Sequence, residues 1–216
     1  MIEWYRRDFD LPGIIDDTLQ LIVEALGPGA PSASATIVDY CEVLTQACAV
    51  DALQSPIEAL ADAAGADADL RAAIGDDRDA WLDLLLATRV IPTFAADRLT
   101  VVRHFPASQA ALARLCPSDT RLADRFEVFH GHVELANGYV ELTNADEQRE
   151  RIRLDNENRR RHGQRVRPVD AGLLDALDDG LPDCAGVALG LERLQMVHDR
   201  TEDIRDVITF AFGDSE

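Results

Sequence analysis

The chain has 216 residues, of which 47% are hydrophobic, so it can bury one substantial core and is predicted to form one domain. Its 40 acidic and 21 basic residues give a net charge of −19, which argues against binding to nucleic-acid backbones or anionic membranes. The sequence has no apolar run of membrane-spanning length, no signal peptide and no C-x-x-C pair among its four cysteines, which predicts a reduced, cytoplasmic protein.

The first residues predict the end of a β-strand. Apolar and polar side chains alternate in Met1–Arg6, which places Ile2 and Trp4 on one face and Glu3 and Tyr5 on the other. The two faces of this strand are therefore expected to differ in character, one apolar and one polar.

Apolar residues at helical spacing predict the elements that follow. The first helix is predicted over Leu11–Leu26, where Gly27 is placed to end it, and residues 28–34 are predicted to be a loop. Further apolar segments predict helices over Thr36–Val50, Pro56–Ala64 and Asp76–Arg89. Trp81 is expected to lie in the core, so we interpret residues 28–89 as a helical insertion without catalytic chemistry.

The second half of the chain predicts strands and short helices. Leu99–Phe105 is predicted to be a strand that leads into a short helix capped by Ser108. Asn144, with Glu147 three residues later, has the spacing of a capping box and predicts a helix to about residue 162. The last predicted elements are a short helix over Asp170–Asp178 and, within Cys184–Val197, a strand of small residues that enters a helix.

The segment Arg125–Leu142 predicts a β-hairpin, because two runs of alternating apolar and polar residues flank a glycine turn. Asn137-Gly138 is the stronger turn dipeptide in general, but a turn there would leave too short a second strand. A two-residue loop at His130-Gly131 gives two strands of useful length. It would place Glu127 directly opposite Glu134.

Two opposed carboxylates destabilise a sheet unless a cation, a shared proton or open water relieves their repulsion. The second strand also carries Asn137, Tyr139 and Glu141 on one face, since side chains alternate. Such a group suits a metal-bound phosphate next to a bound amine. The same pattern fits an exposed acidic hairpin on an acidic protein. His130 and His132 beside Glu134 resemble a zinc site, but histidines astride a turn are more often solvent-exposed.

At Gly190 the last predicted strand enters a helix that carries Arg193 in its first turn. A junction of this kind lets the backbone and a guanidinium group approach a nucleotide closely. The lone G-x-x-x-G spacing of Gly186 and Gly190 also serves tight strand–helix packing.

These segments together resemble a known family. FEVFHGHVELANGYVEL (residues 126–142) and GVALGLERL (residues 186–194) are similar to the end of the catalytic domain of class II lysyl-tRNA synthetases. GVALGLER matches the third class-defining motif, and MIEWYR resembles the closing strand of the second. Within that superfamily HFPASQAALA, ELANG and DVITF resemble the elongation factor P β-lysine ligase family.

The resemblance implies the α+β fold of a class II aminoacyl-tRNA synthetase catalytic domain, an antiparallel sheet flanked by helices. It also implies that residues 1–216 lack the N-terminal part of that domain, since Met1 falls inside the second motif. We therefore expect a fragment of a longer protein or a truncated relative, which as given forms adenylate poorly, if at all. The homodimer of the family depends on the missing part, so the sequence leaves the oligomeric state open.

The resemblance further implies the roles of individual residues. Glu127 and Glu134 resemble the ligands of the Mg²⁺ bound to ATP. The ATP site would also include the backbone of Leu135, together with Gly190 and Arg193, with the arginine acting catalytically on the phosphates. The implied amino-acid pocket consists of Glu3, Tyr5, Asn137, Tyr139, Glu141 and Ala188. Synthetases usually carry glycine at the positions of Ala136 and Ala188, which favours (R)-β-lysine as the substrate.

The implied function is that of an ATP-dependent ligase that uses ATP and Mg²⁺. It activates (R)-β-lysine as an adenylate and transfers it to a lysine of elongation factor P, without a membrane or tRNA as partner. Two alternatives are the C-terminal part of a lysyl-tRNA synthetase that charges tRNA(Lys) and a non-catalytic synthetase paralogue.

Overall fold

Seven strands form one mixed sheet in the computed structural model, which describes residues 1–27 and 35–210. The strands are β1 (Ile2–Arg7), β2 (Thr36–Asp39), β3 (Leu99–Pro106), β4 (Leu115–Cys116), β5 (Asp119–His130), β6 (Val133–Val140) and β7 (Cys184–Leu189). Their order is β1-β7-β6-β5-β3-β2, and β4 pairs with β5. The predicted antiparallel sheet is confirmed except at one edge, where β2 and β3 are parallel.

Eight α-helices flank the sheet in the same two ranges. They are α1 (Leu11–Leu26), α2 (Tyr40–Cys48), α3 (Ile57–Ala64), α4 (Ala68–Ile74), α5 (Arg78–Leu85), α6 (Ala145–Arg161), α7 (Ala171–Gly180) and α8 (Leu191–Asp199). The predicted capping residues are confirmed at the end of α1, where Gly27 is the C-cap, and at the start of α6, where the Asn144 side chain accepts a hydrogen bond from the Glu147 amide. None of the helices in the described ranges has both the length and the apolarity needed to cross a bilayer.

The sheet separates the two larger of three hydrophobic clusters in the described residues. On one face, α1 and α8 pack over a core that includes Ile14, Phe126 and Val187. On the other face, helices from the 40–85 segment bury Trp81 and Val102 against β3 and the end of β5. This second core covers only the part of that sheet face that is formed by β3 and the end of β5. The half formed by β5, β6, β7 and β1 carries polar residues, so the fold leaves a polar surface beside an apolar core.

The pairing of β5 with β6 differs from the predicted register. Gly131, with φ of +54°, occupies the first position of the two-residue loop, so His130 pairs with Val133. A bulge then adds one residue to β6 between the partners of Val128 and Phe129. Glu127 consequently pairs with Asn137 rather than with Glu134. The predicted direct opposition of the two glutamates is therefore wrong, because a bulge cannot be read from alternating residues alone.

Two predicted elements also take other forms. The segment predicted as a helix over Thr36–Val50 begins instead with β2, whose β-branched residues pair in parallel with β3 before α2 starts at Tyr40. The helix predicted after β3 is a single 3₁₀ turn, Ala107–Gln109, and Ser108 donates to Asp79 of α5 instead of capping it. The loop predicted over residues 28–34 lies outside the described residues.

Gly138→Ala should destabilise the fold, because a β-carbon at this position would lie 2.6 Å from the Phe126 ring and 2.8 Å from the Gly186 carbonyl oxygen. Crowding of this kind is expected to cost about 1–3 kcal/mol in the free energy of unfolding, measured by urea denaturation. Gly172→Ala in α7 is the matched control, since its β-carbon would make only an ordinary 3.4 Å contact. Equal midpoints for the two variants would contradict the packing described here.

Candidate active site

Residues that are polar except for Ala188 and Gly186 form rows across the uncovered half of the second face. One row consists of Glu3, Ala188, Asn137 and Glu127, and the next consists of Tyr5, Gly186, Tyr139 and Arg125. Glu141 follows Tyr139 by two residues and therefore points to the same face. The residues implied as an amino-acid pocket thus lie together on one surface, although they come from three strands that are distant in sequence.

Tyr5 and Glu141 meet above Gly186. A β-carbon at position 186 would lie 2.6 Å from a ring carbon of Tyr5 and 2.7 Å from Oε1 of Glu141, so only glycine leaves room for both groups. Burial raises the pKa of Glu141 to about 7. Burial, followed by the charge of Glu141, raises the pKa of Tyr139 to about 12. The carboxyl group therefore lies in a low-dielectric environment, where a bound ammonium group would stabilise its charged form.

Glu127 lies at the opposite end of this face, and its negative charge is only partly compensated. Arg125 Nη2 donates to Glu127 Oε1 at 2.7 Å, while the guanidinium group lies 4.5 Å from the centroid of the Phe105 ring. Burial nevertheless raises the pKa of Glu127 to about 7 against the effect of Arg125, and the charge of Glu134 adds to the rise. The two glutamates are therefore electrostatically coupled despite the altered register, and a further cation would be favoured between them.

Four buried atoms on this side of the protein have no hydrogen-bond partner among the described residues: Tyr40 Oη, Asn137 Oδ1, Arg125 Nε and Gln109 Oε1. Asn137 Nδ2 makes only a long contact of 3.5 Å with Glu127 Oε1. Buried polar groups in folded proteins are almost always hydrogen-bonded. Both a donor and acceptors are thus available here for a polar ligand.

Arg193 ties the start of α8 to the bulged part of β6. Its Nη1 donates to the backbone oxygen of Glu134 at 3.0 Å and to Glu134 Oε2 at 3.2 Å. Gly190 donates its amide to the Leu135 oxygen at 2.9 Å, and a β-carbon on it would lie 3.3 Å from Arg193 Cδ. The absence of a side chain at Gly190 therefore lets the stem of the arginine lie close against the backbone.

The two glutamates have the donor chemistry of a Mg²⁺ site. Carboxylate oxygens are the protein ligands that Mg²⁺ prefers, usually shared with phosphate. One oxygen of each group is bonded to an arginine, Oε1 of Glu127 and Oε2 of Glu134. The other oxygen of each accepts no hydrogen bond in the part of the chain that the structure describes. These residues therefore fit a hard divalent cation.

One of the two predicted roles of the Leu135–Ala136 pair needs correction. The Leu135 side chain is 1% exposed and belongs to the core beneath the sheet, and its backbone oxygen lies beside Gly190, in line with the backbone role predicted for it. Ala136 is likewise buried in that core and does not line the pocket, whereas Ala188 lies in the row between Glu3 and Asn137. Of the two alanines that replace glycine, only Ala188 is placed to contact a substrate.

Sequence reasoning also missed three residues that shape the site, namely Gln109, Arg125 and Gly186. Arg125 had a readable signal, because it precedes Glu127 by two residues on the same strand and must share its face. The roles of Gln109 and Gly186 arise from packing between segments that are distant in sequence, and the local pattern gives no sign of them.

Glu141→Gln should raise the free energy of unfolding at pH 8 by about 1–2 kcal/mol, a value that allows for partial solvent screening. The folded pKa of Glu141 is near 7 and its ordinary value is 4.5, so burial of the charged form destabilises the protein above pH 7. This destabilisation is lost as the pH falls from 7 to 4.5. The gain from the substitution should therefore disappear below about pH 4.5.

Urea denaturation of both proteins between pH 4.5 and 8 measures this effect. Glu24→Gln on the exposed face of α1 is the control for replacing a glutamate by glutamine and should leave the urea midpoint close to that of the wild type. A gain from Glu141→Gln that is the same at both ends of the pH range would contradict the inferred burial of the charge.

Comparisons with known proteins show which family the chain resembles. A family model for class II tRNA synthetases (D, K and N) matches residues 51–213. Proteins named elongation factor P--(R)-beta-lysine ligase are similar over nearly the whole chain. That of Sodalis glossinidius (strain morsitans) is 42% identical over 215 residues, which cover 98% of this chain and 64% of the relative. That of Pseudoalteromonas translucida (strain TAC 125) is 42% identical over 214 residues, which cover 97% and 64%.

The chain therefore spans 64% of the length of these curated relatives. The family match extends over more than half of the chain and includes both the acidic hairpin and the Gly190–Arg193 junction. On this basis the chain belongs to the class II tRNA synthetase (D, K and N) family.

Proposed function

We propose that this protein is an ATP-dependent ligase that activates (R)-β-lysine as an adenylate and transfers it to a lysine of elongation factor P. The observation that carries the proposal is the half-buried Glu141 carboxyl group, which meets Tyr5 above Gly186 and has no cationic partner among the described residues. An amino acid with a second ammonium group supplies such a partner. The names of the similar proteins support this choice of substrate.

In the first step, a carboxylate oxygen of the amino acid attacks the α-phosphorus of ATP, and the bond from that phosphorus to the pyrophosphate oxygen breaks. The protein contributes position and charge rather than a nucleophile. Glu141 and Glu3 hold the ammonium groups, while Asn137 Oδ1 offers the acceptor that lacks a partner. Arg193 stabilises the negative charge of the phosphates. Its contact with Glu134 holds it at the edge of the site.

Glu127 and Glu134 are the residues that would hold Mg²⁺, which offsets phosphate charge when it is bound. Arg125 limits how strongly the two glutamates repel each other before the cation arrives, because it pairs with Glu127 at 2.7 Å. The pairing also keeps the Glu127 carboxylate in one orientation.

In the second step, the ε-amine of a lysine on elongation factor P attacks the carbonyl carbon of the mixed anhydride. The bond between that carbon and the phosphate oxygen breaks, AMP leaves, and the amine loses a proton to solvent. Glu141 stays occupied by the substrate ammonium group throughout. The pocket therefore holds the activated acyl group in place while the protein acceptor approaches.

Two alternatives remain distinct from this proposal. A lysyl-tRNA synthetase would use the same first step and transfer the aminoacyl group to tRNA(Lys). A non-catalytic paralogue would keep the fold without binding ATP. The net charge of −19 favours the protein acceptor over tRNA, because an acidic protein repels a phosphate backbone.

The proposal is tested on the protein as its gene encodes it. We expect calorimetry to show binding of ATP with Mg²⁺ and of (R)-β-lysine, and mass spectrometry to show one β-lysyl group added to elongation factor P. Glu141→Gln should weaken (R)-β-lysine binding by about 10–100-fold through loss of a charge-assisted contact. Glu24→Gln is the matched control and should bind normally.

Each other outcome identifies an alternative. Charging of tRNA(Lys) without modification of elongation factor P would indicate a lysyl-tRNA synthetase. Absence of ATP binding would indicate a non-catalytic paralogue. Unchanged (R)-β-lysine binding by Glu141→Gln would show that the amine is recognised elsewhere.

Ala188→Gly should relax the discrimination against α-lysine, because it removes a methyl group between Glu3 and Asn137. One carbon in a pocket changes selectivity by about 10–200-fold. The measurement is the ratio of kcat/KM for pyrophosphate exchange with the two lysines. Ala136→Gly is the control, since Ala136 is buried on the opposite face and should leave the ratio unchanged. A larger shift from Ala136→Gly than from Ala188→Gly would refute the placement of the pocket.

A further inference from the structure

A second group of metal-binding side chains lies away from the proposed active site. His104, Cys116 and Asp124 each place one potential ligand atom within 4.8 Å of the others. The three residues come from β3, β4 and β5, at the corner of the sheet where β4 is attached. Asp124 directly precedes Arg125 on β5, so the two side chains point to opposite faces of the strand.

The backbone at this corner departs from regular strand geometry in order to bring the three groups together. His104 has φ of +57° at a register shift between Arg103 and Phe105 of β3. The pairing of β4 with β5 also shifts, between Leu115 and Cys116. A β-bulge commonly redirects a side chain out of its regular alternation. The irregular pairings of β3 and of β4 with β5 thus bring the three side chains together.

The ring of His104 contacts a carboxylate through one nitrogen, as the rings of metal-binding histidines commonly do. Its Nδ1 lies 2.6 Å from Oδ1 of Asp39 on β2. A carboxylate on one ring nitrogen fixes the tautomer and the ring plane, which leaves the other nitrogen as a ligand. Asp39 also accepts from Arg103 Nε at 3.0 Å, so the orienting carboxylate is itself held in position. This arrangement is an independent sign of a ligand at His104.

The other two groups are buried. Cys116 is 4% exposed and Asp124 is 7% exposed. The ion pair of Asp124 with Arg114 is long, at 3.4 Å between Oδ2 and Nη2. A buried carboxylate with so weak a partner is costly unless another cation or donor satisfies it. The His104 side chain remains 27% exposed, which gives an ion a route into the cluster.

We propose that His104, Cys116 and Asp124 bind Zn²⁺ with a fourth, exchangeable position. One nitrogen, one sulfur and one oxygen ligand suit zinc, whereas Mg²⁺ and Ca²⁺ prefer oxygen ligands alone. On binding, the thiol proton passes to solvent and a zinc–sulfur bond forms. The ion joins three strands behind Arg125, so its function is structural and does not depend on the reaction catalysed on the other face.

The simpler interpretation is that the Cys116 thiol only donates a hydrogen bond to Asp124. Titration of the chelator-treated protein with Co²⁺ and Zn²⁺ separates the two interpretations. We expect one Co²⁺ per chain with visible d–d bands and a near-ultraviolet thiolate-to-cobalt band, which Zn²⁺ then displaces. We also expect Zn²⁺ to raise the Tm of the protein.

Variants locate the bound ion. Asp39→Asn, which changes only the residue that orients His104, should lower zinc affinity by about 10–100-fold. Cys116→Ser and Asp124→Asn should lower it further, and Cys116→Ser should also abolish the thiolate band. Cys48→Ser is the matched control on α2 and should bind zinc normally. Circular dichroism of each variant confirms that it is folded.

The proposal is overturned if the wild-type chain binds no Zn²⁺. It is also overturned if the Co²⁺ complex lacks a thiolate band, or if Cys116→Ser and Asp124→Asn bind zinc as tightly as the wild type. None of these readouts depends on ligase activity, so failure of the zinc site would leave the proposed function untouched.

Discussion

The burial of acidic groups on one face of the sheet is the constraint on which the rest of the site depends. Burial raises the pKa values of both Glu127 and Glu141 to about 7, so their charged forms are unfavourable in the unliganded protein. Arg125 compensates Glu127 in part, and no cationic side chain among the described residues pairs with Glu141. The protein therefore keeps an uncompensated preference for cations, which an ammonium group and a metal ion can satisfy at two separate places.

Such a preference depends on carboxylates that are held at fixed positions along the strands. The core under the sheet holds the strands in place, because Phe126 packs against Gly138 and α1 covers the opposite face. On the face that carries the site, helices from the 40–85 segment bury Val102 beside Glu127 and close one side of the site. The backbone of four paired strands then fixes the spacing of the polar groups. Apolar packing on both faces of the sheet offsets the free energy that the burial of these polar groups costs.

The sequence predicted the side-chain faces better than the pairing of the strands. The alternation of residues 137–141 and the Gly190–Arg193 junction are both present as predicted, because face and helix start depend on local order. The register of Glu127 was wrong, because it depends on where a loop and a bulge absorb residues. The electrostatic coupling with Glu134 survived this error, since both side chains still reach the same face. β2 was missed because its pairing with β3 is a long-range contact.

The same limits explain why the His104 cluster has no sequence signature. Its residues occupy strands whose regular alternation would separate them, and only two irregular pairings bring them together. Asp124 and Arg125 are consecutive on β5, so one strand serves both groups from opposite faces. An ion on the Asp124 side would hold the backbone from which Arg125 reaches Glu127. β5 would then serve a structural role through Asp124 and a catalytic role through Arg125. The two side chains would depend on each other through the shared backbone, without direct contact.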